Sequence, residues 1–385
     1  MDTSEVTILT LIDLSKGFDV VGHEALLTSL QQLQVAPGWF RSYLQNHTQQ
    51  VKLSDGNLSS SRDITVGTFQ GSSLGPLLFN VATNQLTAYI PSELNGFKVS
   101  ITRFADDTQV AVTGPRHQLK RMEETMEELL DLMTSWFLQN RMKVNAQKTE
   151  LIMFGSRQNL QHIKDPPTVN FIGETIHPSS TVKNLGVIMD STMTWAPHID
   201  NLVAKCTGIL IGILHLKQVL PKHLLVKIVE ALVLSHIRYA FQVYGNASQT
   251  QMSKIDKVIR FAARVVTGRR KYDHVSDVIS ELQWMNAEQQ LLYSDLSLMH
   301  KIVQTKEPIS LIDKIHFCNP ATRRATRRSS HFNIPRAHPN SGMRTFIRRA
   351  NHSYNEHISS EMLLSSKRTF KRNFKKSLFT KKQDR

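Results

Sequence analysis

The sequence predicts an α+β chain in three consecutive parts: a mixed block over residues 1–196, an all-helical block over 197–315 and a basic region over 316–385. Three observations predict it. Short β-branched runs recur up to residue 190, and two regions of them present aspartates at their ends. Near residue 197, long segments with apolar residues every three or four positions take over. Positive charge then collects at the end of the chain. Residues 321–385 hold 17 Lys and Arg against 3 acids, a net of +14, which leaves +1 for residues 1–320.

Taken in order, Val6 to Ile12 is β-branched and apolar and predicts a buried strand ending at Asp13. A helix with apolar spacing follows over His23 to Leu33. Residues 49–66 predict two strands turning near Asp55-Gly56, a favoured hairpin pair. A loop with Gly67, Gly71, Gly75 and Pro76 leads into a helix from Leu77. Residues 99–112 are two β-type runs on either side of Asp106-Asp107. After Pro115 an amphipathic helix places Leu119, Met122, Met126, Leu129, Leu130, Met133, Trp136 and Phe137 on one stripe, which is core packing. Residues 141–154 and 182–190 predict further strands. The helical block then runs through 202–216, 223–241, 252–268 and 287–303, broken at Pro221, Gly245 and Gly268.

Composition removes several classes. With 40% hydrophobic and 21% charged residues the 385-residue chain is globular in proportion, and its length suggests roughly two to three domains. Its two cysteines, Cys206 and Cys318, exclude a disulfide framework or a zinc site of cysteine pairs. None of the 16 histidines falls in an H-E-x-x-H pattern. The N-terminus has no basic start of a secretory leader. The most apolar region, 207–242, is interrupted by Lys217, Lys222, Lys227 and Arg238, so the expectation is a soluble intracellular protein with no membrane partner. The basic region points to a polyanion, with Arg323, Arg324, Arg327 and Arg328 as candidate nucleic-acid contacts. Charge alone fits a merely solvated tail equally well.

The chemistry lies in carboxylates. Adjacent aspartates at a hairpin tip repel one another unless a cation sits between them, and hard oxygen ligands suit Mg²⁺ or Mn²⁺. Asp13, Asp106 and Asp107 could hold two ions about 3.5–4 Å apart, the arrangement that two-metal phosphoryl transfer needs. A lone Asp-Asp pair is more often a solvated turn, and a strand ending in Asp is ordinary turn chemistry. Their order along the chain is what lifts them above either reading.

That order resembles a family. The runs DLSKGFD (13–19), GTFQGSSLGPLLF (67–79), FADD (104–107), WFLQNRMKVNAQKTELIMFG (136–155) and VKNLGVIMD (182–190) resemble palm motifs A to E of reverse transcriptases. The likeness is closest to the jockey-like and chicken-repeat-like branch of non-LTR retrotransposons, and continues through 263–285 and 329–346. It implies an antiparallel palm sheet backed by helices over 1–196, a helical thumb over 197–315 and RNA-directed DNA synthesis with Mg²⁺. RNA template, DNA primer and deoxynucleoside triphosphates would be its partners. By the same resemblance Asp13, Asp106 and Asp107 are metal ligands, and Phe18 is a steric gate against a ribose 2′-hydroxyl. Gln70 and Gly71 contact the incoming nucleotide, and Lys148 is a general acid for the leaving pyrophosphate. Leu185 and Gly186 lie near the primer grip. Arg260, Arg264, Arg269, Arg270 and Lys271 are phosphate contacts on the thumb.

Departures from the family pattern temper this. Asp13 stands near the start of the chain, and the upstream fingers and endonuclease regions of full-length relatives are not in it, so little or no polymerase activity is expected from a 5′-truncated copy. Phe69 stands where proline is usual before Gln-Gly, Gly22 where aspartate is frequent, and Gln85 where aspartate is usual. The alternative function is a non-catalytic nucleic-acid-binding protein that grips RNA with the thumb and basic tail.

Overall fold

The computed structural model describes residues 4–15, 17–69, 71–317, 332–334 and 345–380. They form two compact units that part between Asn184 and Leu185. The architecture is mixed, with an antiparallel sheet in the first unit and helices throughout the second.

In chain order the sheet strands are β1 (Glu5–Ser15), β2 (Glu93–Leu94), β3 (Phe97–Phe104), β4 (Asp107–Pro115) and β5 (Lys143–Phe154). Across the sheet they run β2-β3-β4-β1-β5, every neighbouring pair antiparallel. On β1, Val6, Ile8, Thr10, Ile12 and Leu14 are buried while the residues between them are mostly half-exposed. One face is therefore core and the other open, as a period of two requires. The buried face packs on the helix Leu119–Gln139, whose Met122, Met126, Leu129, Leu130 and Met133 are wholly buried. The methionine stripe is core, as the sequence indicates.

The longer helices of this unit are α1 (His23–Gln32), α2 (Pro37–Leu44) and α3 (Gly75–Thr83), with α4 the helix Leu119–Gln139. The hairpin expected over 49–66 is much reduced. Only Thr48–Gln49 pairs with Arg62–Asp63, plus a bridge from Lys52 to Leu58 around Gly56 at φ 88°. Its side chains are almost all exposed, so no buried face fixes a longer register.

The division after Asn184 comes ahead of the 196/197 boundary read from sequence. Asp190 gives the reason. Its carboxylate accepts from the main-chain N–H of Thr194 (3.0 Å) and Trp195 (2.8 Å) and from the hydroxyls of Thr192 and Thr194. This fastens Val187–Asp190 to the start of the helix α5 (Ala196–Leu216). Burial alone would raise the Asp190 carboxyl, but these hydrogen bonds outweigh it and hold it below its ordinary value.

In the second unit α5 packs against α6 (Gln249–Thr267). By length and composition α5 could cross a membrane, because the charges counted at 217, 222, 227 and 238 lie beyond it. Its Ile199, Leu202, Cys206, Leu210 and Ile213 are buried in the core of this unit, while Ile211, Leu214 and Leu216 are exposed. Helix α6 starts at Ser248, which caps Gln251 N–H, and stops at Gly268 with φ 76°. Helix α7 (Ala287–Thr305) starts with a reciprocal capping box between Asn286 and Gln289.

The basic region is not an appended tail where it is described. Helices α8 (Phe346–His357) and α9 (Lys367–Thr380) fold onto α7. Tyr354, Phe370 and Phe374 join Leu296, Met299 and Ile302 in one buried cluster. Arg349 pairs with Asp295, whose side chain is 1% exposed. Counting charge concealed this, because the aromatic residues that bury α9 are interleaved with its cations.

Candidate active site

Three strands deliver the predicted carboxylates to one end of the sheet. A two-residue turn, Ala105-Asp106, joins β3 to β4, with Phe104 paired to Asp107. Ala105 sits at φ 54°, a left-handed conformation that costs a non-glycine residue about 1–2 kcal/mol. On the neighbouring strand the register sets Ile12 opposite Thr108. One residue further along each strand stand Asp13 and Asp107. On its other side Asp13 faces Asn145, just past a bulge where the β1–β5 register shifts between Leu11 and Asp13. A bulge re-aims the side chain beside it, and Asp13 falls on the open face of the sheet.

The electrostatics show that the three acids share a patch. Burial, then the charge on Asp106, then the charge on Asp13 push the Asp107 carboxyl above its ordinary value. Lys148, on β5, places Nζ 3.9 Å from Asp13 Oδ2. This donor set suits a hard divalent cation. Among the described residues, however, no three Asp, Glu, His or Cys side chains are gathered closely enough to hold a metal ion.

Phe18 lies in the short helical turn Gly17–Val20, its ring stacked on Phe79 of α3 at 4.4 Å. Gly17 permits this approach, since a Cβ there would stand 3.3 Å from that ring. The glycine loop is tied to the same place. Thr68 donates to Phe18 O through both its N–H (2.8 Å) and its hydroxyl (3.3 Å). Gly67, at φ 90°, leaves no room for a side chain against Asp19 O. Gly71 follows at φ 82°, whereas Gln70 lies outside the described residues. The ring of Phe69, the departure from the family pattern, packs against His47 at 4.3 Å and Tyr43 at 5.5 Å.

Two contacts escaped the sequence reading. Arg103 reaches from β3 to Thr83 at the end of α3, bonding its main-chain oxygen and its hydroxyl. The signal was present: Phe97, Val99, Ile101 and Arg103 alternate on the inward side, so the arginine occupies a position reserved for an apolar residue. The other is a pair of amides, Gln109 and Asn184, joined by reciprocal hydrogen bonds of 2.8 and 2.9 Å. No spacing rule couples residues so far apart.

Of the predicted phosphate contacts of the second unit, the guanidinium groups of Arg264 and Arg269 are engaged locally. Arg264 donates to Asp273 O at 3.1 and 3.3 Å. Arg269 forks onto Asp277, and its guanidinium holds that carboxyl down at about 2. The Arg270 N–H donates to Asp273 Oδ2, and Lys271 lies over the Tyr272 ring. Arg260 is exposed. Leu185 and Gly186 form a turn at φ 44° and 83°, to which Tyr239 donates a 2.6 Å hydrogen bond at Leu185 O. Arg323, Arg324, Arg327 and Arg328 lie outside the described residues.

Residues 1–189 match the family model described as reverse transcriptase (RNA-dependent DNA polymerase). The RNA-directed DNA polymerase from mobile element jockey of Drosophila melanogaster is 26% identical over 74% of this chain and 31% of its own length. Its counterpart from Drosophila funebris is 28% identical over 71% of this chain and 30% of its own. The chain thus spans about a third of the length of these curated relatives. Among solved structures, apo telomerase from Candida tropicalis aligns with 80% of this chain and 52% of its own, at 11% identity. Its TM-score of 0.34 is too low to bear on the fold. Residues 1–189 are thus similar to the reverse transcriptase family, and the matched relatives are jockey-type RNA-directed DNA polymerases.

Proposed function

We propose that this chain carries RNA-directed DNA polymerase chemistry, joining a deoxynucleoside triphosphate to a DNA primer on an RNA template. The observation that carries the reading is the register placing Asp13 beside Asp107 at the open end of the sheet, next to the strained Ala105-Asp106 turn. In this reading the first unit is the palm and the helices after residue 185 are the thumb.

Asp13, Asp106 and Asp107 would hold two Mg²⁺ ions, or Mn²⁺ in their place. Bound there, the ions supply activation of the primer 3′-hydroxyl and charge neutralisation at the leaving pyrophosphate. The protein residues do the rest. Asp107, whose ionised form its neighbours disfavour, is the carboxylate with most to gain from a cation. Lys148, next to Asp13, is set to give a proton to the departing pyrophosphate oxygen. Phe18, held against Phe79, walls the sugar and excludes a 2′-hydroxyl. Gly71 and Gln70 meet the base and triphosphate.

The test is Mg²⁺-dependent primer extension on an RNA template, compared with Asp107→Asn. Product that vanishes with the substitution supports the reading. Product that survives it, or the absence of both product and Mg²⁺-dependent stabilisation, overturns it.

A further inference from the structure

Helix α2 carries an aromatic step that this chemistry does not use. Trp39 is 57% exposed, whereas Trp136, Trp195 and Trp284 are all buried. One face of its indole lies on Tyr43, with centroids 5.6 Å apart and planes at 5°, and Phe40 meets it edge-on at 4.9 Å. The step is braced from below. The Tyr43 hydroxyl is 2.7 Å from Ser72 Oγ, and its ring meets Phe69. Trp39 therefore needs little ordering before it can bind a second planar group.

Charge along this stretch of sequence is one-sided. Residues 25–54 contain no Asp or Glu, in a chain with 32 of them, while Arg41 and Lys52 are exposed. An exposed rigid aromatic ring on a segment whose only Lys, Arg, Asp or Glu charges are cationic is the make-up of a platform for single-stranded nucleic acid, where bases stack and phosphates meet the charge. The step also connects to the nucleotide pocket, because Thr68, beside Phe69, bonds to Phe18.

We propose that Trp39, stacked on Tyr43, binds an unpaired nucleobase of the single-stranded template, with Arg41 and Lys52 against the adjoining phosphates. This rests on the chain being a template-copying enzyme, but its readout is binding and does not pass through catalysis. A duplex keeps its base faces hidden, so the platform separates single strands from duplex. An apolar protein segment could cover the same indole, but it would not reward the two cations.

Tryptophan fluorescence tests this directly, since the other three indoles are shielded. Titration of the full chain with a short single-stranded RNA should quench the emission, and a blunt duplex should not. Trp39→Ala should weaken single-strand binding by roughly tenfold and leave duplex binding unchanged. Trp39→Phe should lose the quench while keeping most of the affinity, which separates stacking from damage to the fold. Arg41→Gln and Lys52→Gln should each flatten the log–log salt dependence by about 0.7. No binding of the single strand, no quench, or equal losses on single strand and duplex in Trp39→Ala would overturn the proposal. The same titration in the Asp107→Asn chain keeps the two readings apart, because a failed polymerase would leave the quench intact.

Discussion

Arg103 grips Thr83 with both arms of its guanidinium, one on the main-chain oxygen and one on the hydroxyl. The contact joins the strand leading to Asp106 and Asp107 to the helix that follows the glycine loop. Burial holds Arg103 below its ordinary pKa without discharging it, so its hydrogen bonds are charge-assisted and made in a poorly solvated place. Arg103→Ala should lose about 1.5–3 kcal/mol in urea unfolding. Arg103→Lys should recover only part of that, because an ammonium cannot fork onto two acceptors. Equal stability of all three chains would refute the coupling.

Asp107 should be a residue that the fold would rather lose. Its ionised form is disfavoured by burial and by Asp106 and Asp13, so its folded pKa lies above the unfolded one. The folded state then binds the extra proton, and this group's contribution falls as pH rises from the carboxylate range through the folded value. Asp107→Asn should therefore melt at the same or a higher temperature than the parent at neutral pH. Added Mg²⁺ should raise the parent's melting temperature and leave the variant's unchanged. A variant that melts lower in the absence of Mg²⁺ would show the repulsion to be unimportant.

His300 should make the C-terminal unit sensitive to mild acid. Its Nδ1 is 3.0 Å from the Tyr354 hydroxyl, its Nε2 is 3.0 Å from Ser365 O, and its ring stacks on Phe370 at 3.9 Å. Burial lowers its pKa below the ordinary 6.5, although the Ser365 oxygen pulls the other way. The unfolded chain thus takes up the proton first. The stabilisation is complete above about pH 6.5 and is lost as pH falls from there through the folded value. His300→Gln should flatten that slope in melting curves, leaving the share due to His198, which burial also depresses. An unchanged slope would exonerate His300.

Gly22 leaves α1 without a side-chain cap, although its φ of −68° and ψ of 128° are those of a capping residue. A Cβ there would meet nothing within 4 Å. Gly22→Asp should stabilise the chain by about 0.5–1 kcal/mol, through the cap and through a less flexible unfolded state. Chemical denaturation checks it, and a loss of stability would mean that the backbone shifts on substitution.

The sheet and the strand-end positions of its aspartates were legible because local sequence patterns specify them. The β-branched run from Val6, the two aspartates in a turn and the stripe from Leu119 each specify their own element. Asp13 could be placed at a strand end, but not beside Asp107. That depends on the Ile12–Thr108 register and on the bulge between Asn145 and Glu150, both set by packing between distant segments. The hairpin over 49–66 was overestimated because turn chemistry at Asp55-Gly56 says nothing about whether flanking residues are buried. The end of the chain was misjudged for the opposite reason. Net charge describes a segment's solvent, while Tyr354, Phe370 and Phe374 decide its place in the fold.

Those three rings make the positive charge hard to shed. Lys367, Arg368, Lys371 and Arg372 ride on a helix whose Phe370 and Phe374 are buried with Leu296 and Met299. Cutting the chain at residue 320 would remove cations and core in one stroke, so weaker RNA binding by such a shortened chain would not report on charge. The cations have to be neutralised where they stand. A stop codon arising in this stretch of the gene would likewise strike first at folding, before any question of affinity arose.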